Sequence, residues 1–342
     1  MKTKNLKFKM ILFLTVIISA SVIMTGCSTS IKEESFAEPS GTVNEKITIV
    51  LDWVPNTNHT GIYVALEKGY YKEAGIEADI VQPTEGGSAD LIAAGKGEFG
   101  ISYQEQVTYA RTSSPSLPVV AIAAILPHNT SGFASMKEKN IVSPKDFENK
   151  IYGGWGSPVE DALLKGLMEK YDADFSKLKI VNIGASDFIT SVQRDVDFSW
   201  IYYGWDGIAS EVKNFEINFM LLQDFDERLD FYTPVIIASE ETLKNRKDLV
   251  KKFLDATRKG YLYSIENPED SAEILLENAP ELDREIVLKS QQYLSSKYMP
   301  ESGKWGFMEE DIWKNFSEWM FENQLIARRL DYENAYTNEF LK

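Results

Sequence analysis

The chain has 342 residues, 44% of them hydrophobic, and a net charge of −16. That acidity argues against nucleic acid and anionic membrane surfaces as partners, since like charges repel. A single cysteine excludes a disulfide framework and a thiolate metal cluster within the chain.

Lys2, Lys4, Lys7 and Lys9 precede an apolar run, Met10–Met24. The run is short for a membrane span and has the charge pattern of a secretory signal. It ends at Met24-Thr25-Gly26-Cys27, which is similar to a lipobox, so Cys27 is the expected lipidation site and new N-terminus. Small polar residues over 27–43 are expected to form a flexible tether. No later apolar run is long enough to span a membrane. The body is therefore expected outside the cell membrane, held by its lipid anchor.

The remaining roughly 300 residues suit two lobes better than one core. Helical and strand patterns alternate, which predicts an α/β fold. Strands are predicted at Lys46–Asp52, Ile76–Gln82, Phe99–Ser102 and Leu117–Ile125, with helices at Thr60–Lys68, Ala89–Gly95 and Glu105–Arg111. The pattern then restarts. Strands are predicted at Gly132–Met136, Ile151–Gly153, Lys179–Asn182, Asp197–Tyr203 and Phe219–Leu222. Helices are predicted at Pro158–Tyr171, Asp187–Arg194 and Gly207–Lys213, and Thr233–Ser239 reads as a strand returning to the first unit. Ser157 and Pro158 read as the cap and first residue of their helix. The tail from Glu240 to Leu341 reads as almost wholly helical, with Trp313, Phe316, Trp319 and Met320 as core packing. Ligands of open α/β sheets sit beyond the carboxyl ends of the strands, and two such units can face one cleft.

Three segments carry a resemblance. They are Leu51-Asp52-Trp53-Val54-Pro55-Asn56-Thr57-Asn58-His59-Thr60-Gly61, Gly69-Tyr70-Tyr71-Lys72-Glu73-Ala74-Gly75-Ile76 and Gly95-Lys96-Gly97-Glu98-Phe99-Gly100-Ile101. Trp200-Ile201-Tyr202-Tyr203-Gly204-Trp205-Asp206 adds a fourth, narrower one. Together they resemble the family that joins ThiY-like binding proteins for thiamin pyrimidine precursors to the pyrimidine synthases of fungal thiamin biosynthesis. Nitrate, sulfonate and taurine binding proteins are more distant relatives. The resemblance implies the type II periplasmic binding-protein fold: two α/β lobes joined by two hinge crossovers, with a helical C-terminal tail. Lobe 1 would be 44–127 and 233–342, and lobe 2 would be 128–232.

The resemblance implies a binder rather than a synthase. The synthases use a lysine carrying pyridoxal phosphate, a histidine and a cysteine-rich iron-binding run. By spacing from Gly100 these positions fall on Ser102, on Gln106 and on Asp230-Phe231-Tyr232-Thr233-Pro234. A Schiff base needs an amine, so no cofactor is expected. A secreted enzyme of another kind would need an activated nucleophile or a metal cluster, and neither pattern is visible. The expected partners are a small heterocyclic ligand, ABC permease and ATPase subunits and, through the lipid anchor, the membrane. No nucleic acid partner is expected, and a monomer is the default.

A flat heterocycle needs apolar faces and a few placed hydrogen bonds. Trp53, Tyr103, Trp155, Tyr202, Tyr203 and Trp205 all lie at or just beyond predicted strand ends. Asp206 is the first candidate for specificity, since a carboxylate accepts two hydrogen bonds from a protonated aminopyrimidine edge. The alternative for Asp206 is an acid favoured at a helix start. Glu105 is the rival carboxyl, and Glu160 carries the same ambiguity. Asn58 and His59 are candidate hydrogen-bonding residues, Asn58 alternatively as a helix cap. Other ligands remain open: a riboflavin-like heterocycle, taurine, an alkanesulfonate or nitrate. An anion would call for bases at the strand ends, where Arg111 and Lys137 are the nearest.

Overall fold

A computed structural model describes residues 44–83, 87–184 and 186–341. The signal sequence, Cys27 and the tether lie outside the described residues. The strands are β1 (Glu45–Val50), β2 (Ile76–Val81), β3 (Phe99–Ser102), β4 (Val119–Ala124), β5 (Ser131–Met136), β6 (Ile151–Gly154), β7 (Lys179–Asn182), β8 (Phe198–Tyr202), β9 (Ile217–Leu221) and β10 (Val235–Ser239). They form two five-stranded sheets, ordered β2-β1-β3-β10-β4 and β7-β6-β8-β5-β9. In the first sheet β1, β2 and β3 run parallel, and β10 inserts antiparallel between β3 and β4. The second sheet repeats this plan, with β5 antiparallel between β8 and β9. Every residue of β4 is buried. Its Val-Val-Ala-Ile-Ala-Ala run lacks the alternation of a half-exposed strand because both of its faces are covered.

Helices cover the sheets. The first unit has α1 (Thr60–Glu67), α2 (Tyr70–Glu73), α3 (Ser88–Ala93) and α4 (Gln104–Thr112). The second has α5 (Pro158–Lys170), α6 (Phe188–Arg194), α7 (Ile208–Val212) and α8 (Leu222–Phe225). The tail carries α9 (Glu240–Asn245), α10 (Lys247–Glu266), α11 (Pro268–Asn278), α12 (Arg284–Ser295) and α13 (Glu310–Glu322). Gly69 ends α1 in the left-handed region, at φ 76°, which only glycine enters without strain. Ser157 and Pro158 open α5 as their sequence suggests. Each sheet has its own aromatic core: Phe99 stacks on Phe253 at 3.7 Å, and Phe147 on Phe198 at 4.3 Å.

Three features depart from the sequence reading. Helical geometry starts at Tyr203 as a π-turn, Tyr203–Gly207, so β8 ends at Tyr202 and α7 is shorter than predicted. The tail is not helical to Leu341. Gln324 takes a left-handed φ of 61° just after α13, and this stops the helix. Beyond it the chain runs back so that Tyr336 bridges to Ala121 of β4 and stacks on Trp313 at 5.3 Å. The third departure concerns α13, which the expected boundary at residue 233 assigns wholly to lobe 1. Its Trp313 packs with the first sheet, while Phe316, Trp319 and Met320 lie in the second core, Phe316 stacked on Phe231 at 4.0 Å. A helix with apolar residues on so wide an arc can serve both cores.

Candidate functional site: a polar cluster among strand ends

The carboxyl ends of β1, β3, β6 and β8 carry most of the residues singled out above. The build starts with Asn56. Its side chain accepts the backbone N–H of Asn58 at 2.9 Å and caps the turn Thr57–His59. The cap thus belongs to Asn56, two residues before the one that its sequence position suggests. Asn58 instead accepts the Tyr261 hydroxyl on its carbonyl oxygen at 2.7 Å. The Asn56 N–H in turn donates to His59 Nδ1 at 3.2 Å. Because Nδ1 accepts, the network assigns the ring proton to Nε2.

His59 Nε2 then donates to Asp52 Oδ1 at 2.6 Å. The Tyr103 hydroxyl donates to the other oxygen, Oδ2, also at 2.6 Å. Burial alone pushes the Asp52 carboxyl up, but His59 and the two hydrogen bonds outweigh it and hold the group below its ordinary value. Asp52 is therefore an ionised hub. His59 is fully buried with both ring nitrogens engaged inside the protein, so it positions Asp52 and has no polar atom left for a ligand. In this arrangement its ring orients the Asp52 carboxylate. Burial, then the Asp52 charge, keep the Tyr103 phenol well above its ordinary value, so it stays neutral.

Two further carboxyls lie close by. Glu105, in the first turn of α4, is 7% exposed and accepts a hydrogen bond from Gln106 at 3.2 Å. Burial pushes it up to about 7. Asp206, in the π-turn, is pushed up to about 6, again by burial. The Tyr202 phenol, itself raised first by burial, feels the charges of Glu105, Asp52 and Asp206, which puts all four groups in one neighbourhood. Thr233 is buried, and its hydroxyl faces the Tyr202 phenol. Glu160 is different. It accepts from the Tyr152 hydroxyl at 2.6 Å and from the N–H groups of Trp155, Gly156 and Ser157. Its oxygens cap α5 and fix the Trp155 loop, which answers its ambiguity in favour of structure.

The aromatic candidates divide. Trp53 follows β1 and is 46% exposed; Trp155 follows β6 and is 40% exposed, its ring 5.1 Å from Trp200. Tyr103 and Tyr202 belong to the polar cluster. Tyr203 does not: it donates to Glu211 and packs on Phe219 and Tyr293. The chain leaves the strand for the π-turn between Tyr202 and Tyr203, and the two side chains take different partners. Trp205 packs with Tyr63, Val64, Leu275 and Val287 against the helices of the first unit. Asp52 is the residue that the sequence reading passed over. Its signal was present, an acid directly after an apolar strand, but it looked like a mere strand end.

Two α/β sheets of this wiring define the periplasmic binding-protein fold. The chain matches the ligand-binding component of an ABC-type import system from Staphylococcus aureus with a TM-score of 0.64 at 12% identity, over 86% of this chain and 97% of that one. The sequence pattern of the family described as "NMT1/THI5 like" matches residues 56–271, and the chain belongs to that family. It is 26% identical to a formylaminopyrimidine-binding protein of Halalkalibacterium halodurans, over 86% of this chain and 90% of that protein. It is also 26% identical to a 4-amino-5-hydroxymethyl-2-methylpyrimidine phosphate synthase of Saccharomyces cerevisiae, over 87% of this chain and 88% of that one.

Proposed function

We propose that this chain is the extracytoplasmic substrate-binding component of an ABC importer, and that it captures a thiamin pyrimidine precursor by closing two lobes over it. The hinges of that closure would be the crossovers near Pro127 and Thr233. In this reading Cys27 carries a lipid that holds the protein at the membrane surface, and the permease and ATPase subunits receive the ligand. The observation that carries the proposal is the pair of carboxyls Glu105 and Asp206, pushed up by burial to about 7 and about 6, close to the tyrosines Tyr103 and Tyr202. A carboxyl that is easily protonated can match an aminopyrimidine edge in either form. As an acid it donates to the ring nitrogen and accepts from the amino group; as an anion it accepts from both when the ring is protonated. A sulfonate or nitrate would meet acids where it needs bases.

The residues do not fit the pyridoxal phosphate of the related synthases. The position implied for the lysine is Ser102, a buried hydroxyl at the end of β3, and a Schiff base needs an amine. Binding is the reading that this leaves.

The test is calorimetry of hydroxymethylpyrimidine and its formylaminomethyl relative against the wild type and Asp206→Ala. A charge-assisted hydrogen bond contributes about 1.5–3 kcal/mol, so the variant should bind roughly tenfold or more weakly. Unchanged affinity with a normal circular dichroism spectrum would remove Asp206 from the site.

A further inference from the structure

The Asp52 hub fixes more than geometry. Asn56 N–H donates to His59 Nδ1, His59 Nε2–H donates to Asp52 Oδ1, and Tyr103 O–H donates to Asp52 Oδ2. Asp52 is ionised and can only accept. The single Tyr103 proton is therefore committed to Oδ2, and what the phenol oxygen can still offer is a lone pair. Tyr103 is half-buried as a residue, and its hydrogen bond to Asp52 is only partly enclosed. Tyr202, Glu105 and Asp52 are its charged or polar neighbours.

We infer that Asp52 is a positioning residue that makes the Tyr103 hydroxyl an obligatory acceptor, so that the site selects a ring bearing an N–H donor over one bearing a carbonyl at the same place. This rests on the proposed aminopyrimidine reading and deepens it: it names the residue that sets the polarity of one contact. A buried site that hydrogen-bonds a ligand group discriminates strongly against an analogue that presents the wrong partner, because both groups are then left unpaired.

The isosteric substitution Asp52→Asn provides a test, because its outcome follows from the network. The Asn56 N–H keeps His59 Nδ1 as an acceptor, so Nε2 stays a donor and demands the carbonyl oxygen of the new amide. The amide nitrogen must then face Tyr103 and donate to its oxygen. The Tyr103 proton is released towards the ligand, and the hydroxyl changes from acceptor to donor.

The experiment is calorimetry of the full mature chain with two probes: 4-amino-5-hydroxymethyl-2-methylpyrimidine and the analogue whose 4-amino group is replaced by an oxo group. The wild type is expected to prefer the amino ring. Asp52→Asn is expected to shift the ratio of the two affinities by about a hundredfold towards the oxo ring, tenfold from each probe. Tyr103→Phe is expected to weaken the amino ring and to gain nothing for the oxo ring. An equal loss of both probes in Asp52→Asn, or a Tyr103→Phe variant that keeps the wild-type preference, would overturn the inference. If Asp52→Asn does not fold, the Tyr103→Phe comparison decides alone. A wild type that binds neither ring would overturn the parent reading itself, whereas a wild-type preference that both variants retain would overturn this inference only.

Discussion

At the scale of single residues, the site is built from carboxyls in three electrostatic states. Asp52 is held low by two donors, Glu105 is pushed up to about 7 by burial, and Asp206 is pushed up to about 6. The raised pair has a consequence for stability. A carboxyl whose folded value lies above its ordinary value of 4.5 binds more protons in the folded state between those two values. Folding stability is therefore lost as pH rises from about 4.5 to about 7. Glu105→Gln removes that contribution, leaving those of Asp206 and His128, whose folded values are also raised. Melting temperatures of the ligand-free protein at pH 5 and pH 8 should differ less in Glu105→Gln than in the wild type. Equal differences would show that Glu105 titrates normally. Sequence alone put Asp206 first and Glu105 as its rival but could not give their protonation states, since burial, which sets their values, is a product of tertiary packing. It missed Asp52 for the same reason, because the hub exists only when β1 and β3 stand side by side.

At the scale of elements, strands were the most legible part. Each predicted strand appears within two residues of its place, because short apolar runs bounded by Gly, Pro, Asn or Asp define them well. The tail was less legible, since an amphipathic pattern continues past Glu322 while a single left-handed residue ends the helix. Local pattern also gives no hint of how closely two helices approach. Helices α1 and α10 cross where Gly61 faces Tyr261, and a Cβ on Gly260 would stand 1.9 Å from the Gly61 carbonyl oxygen. In an open helix Gly→Ala gains up to about 1 kcal/mol of propensity. Here the obstacle is backbone, which cannot yield cheaply, and overpacking costs about 1–3 kcal/mol. Gly260→Ala should therefore lower the denaturation midpoint. A stabilised variant would mean that the two helices are further apart than described.

At the scale of the whole molecule, two halves with one wiring plan are held by a small set of cross-links. The two crossovers bond to each other: His128 Nδ1 meets Asp230 Oδ2 at 2.7 Å, the Asn129 N–H donates to Asp230 Oδ1 at 2.8 Å, and Ile125 N–H donates to the Pro234 carbonyl at 3.0 Å. The hydrogen bond to Asp230, the largest cause, pushes the His128 imidazole up to about 9. Helix α12 also reaches the π-turn of the second unit, where the Ser290 hydroxyl donates to the Gly204 carbonyl oxygen. The sequence announced the repeated plan and the family motif. It did not announce that α12 and α13 each touch the second unit, because those contacts join residues far apart in the chain.

A ligand that binds only the folded, closed form stabilises it by mass action, by about 2.7 kcal/mol at a hundredfold excess over Kd. The most direct measurement is therefore a thermal-shift comparison of residues 44–342. The set comprises hydroxymethylpyrimidine, its formylaminomethyl relative, thiamin, riboflavin, taurine, nitrate and an alkanesulfonate. A rise in melting temperature with the two aminopyrimidine precursors, and none with the anions or the flavin, is the expected result. A rise with an anion or with riboflavin, and none with the pyrimidines, would contradict the account.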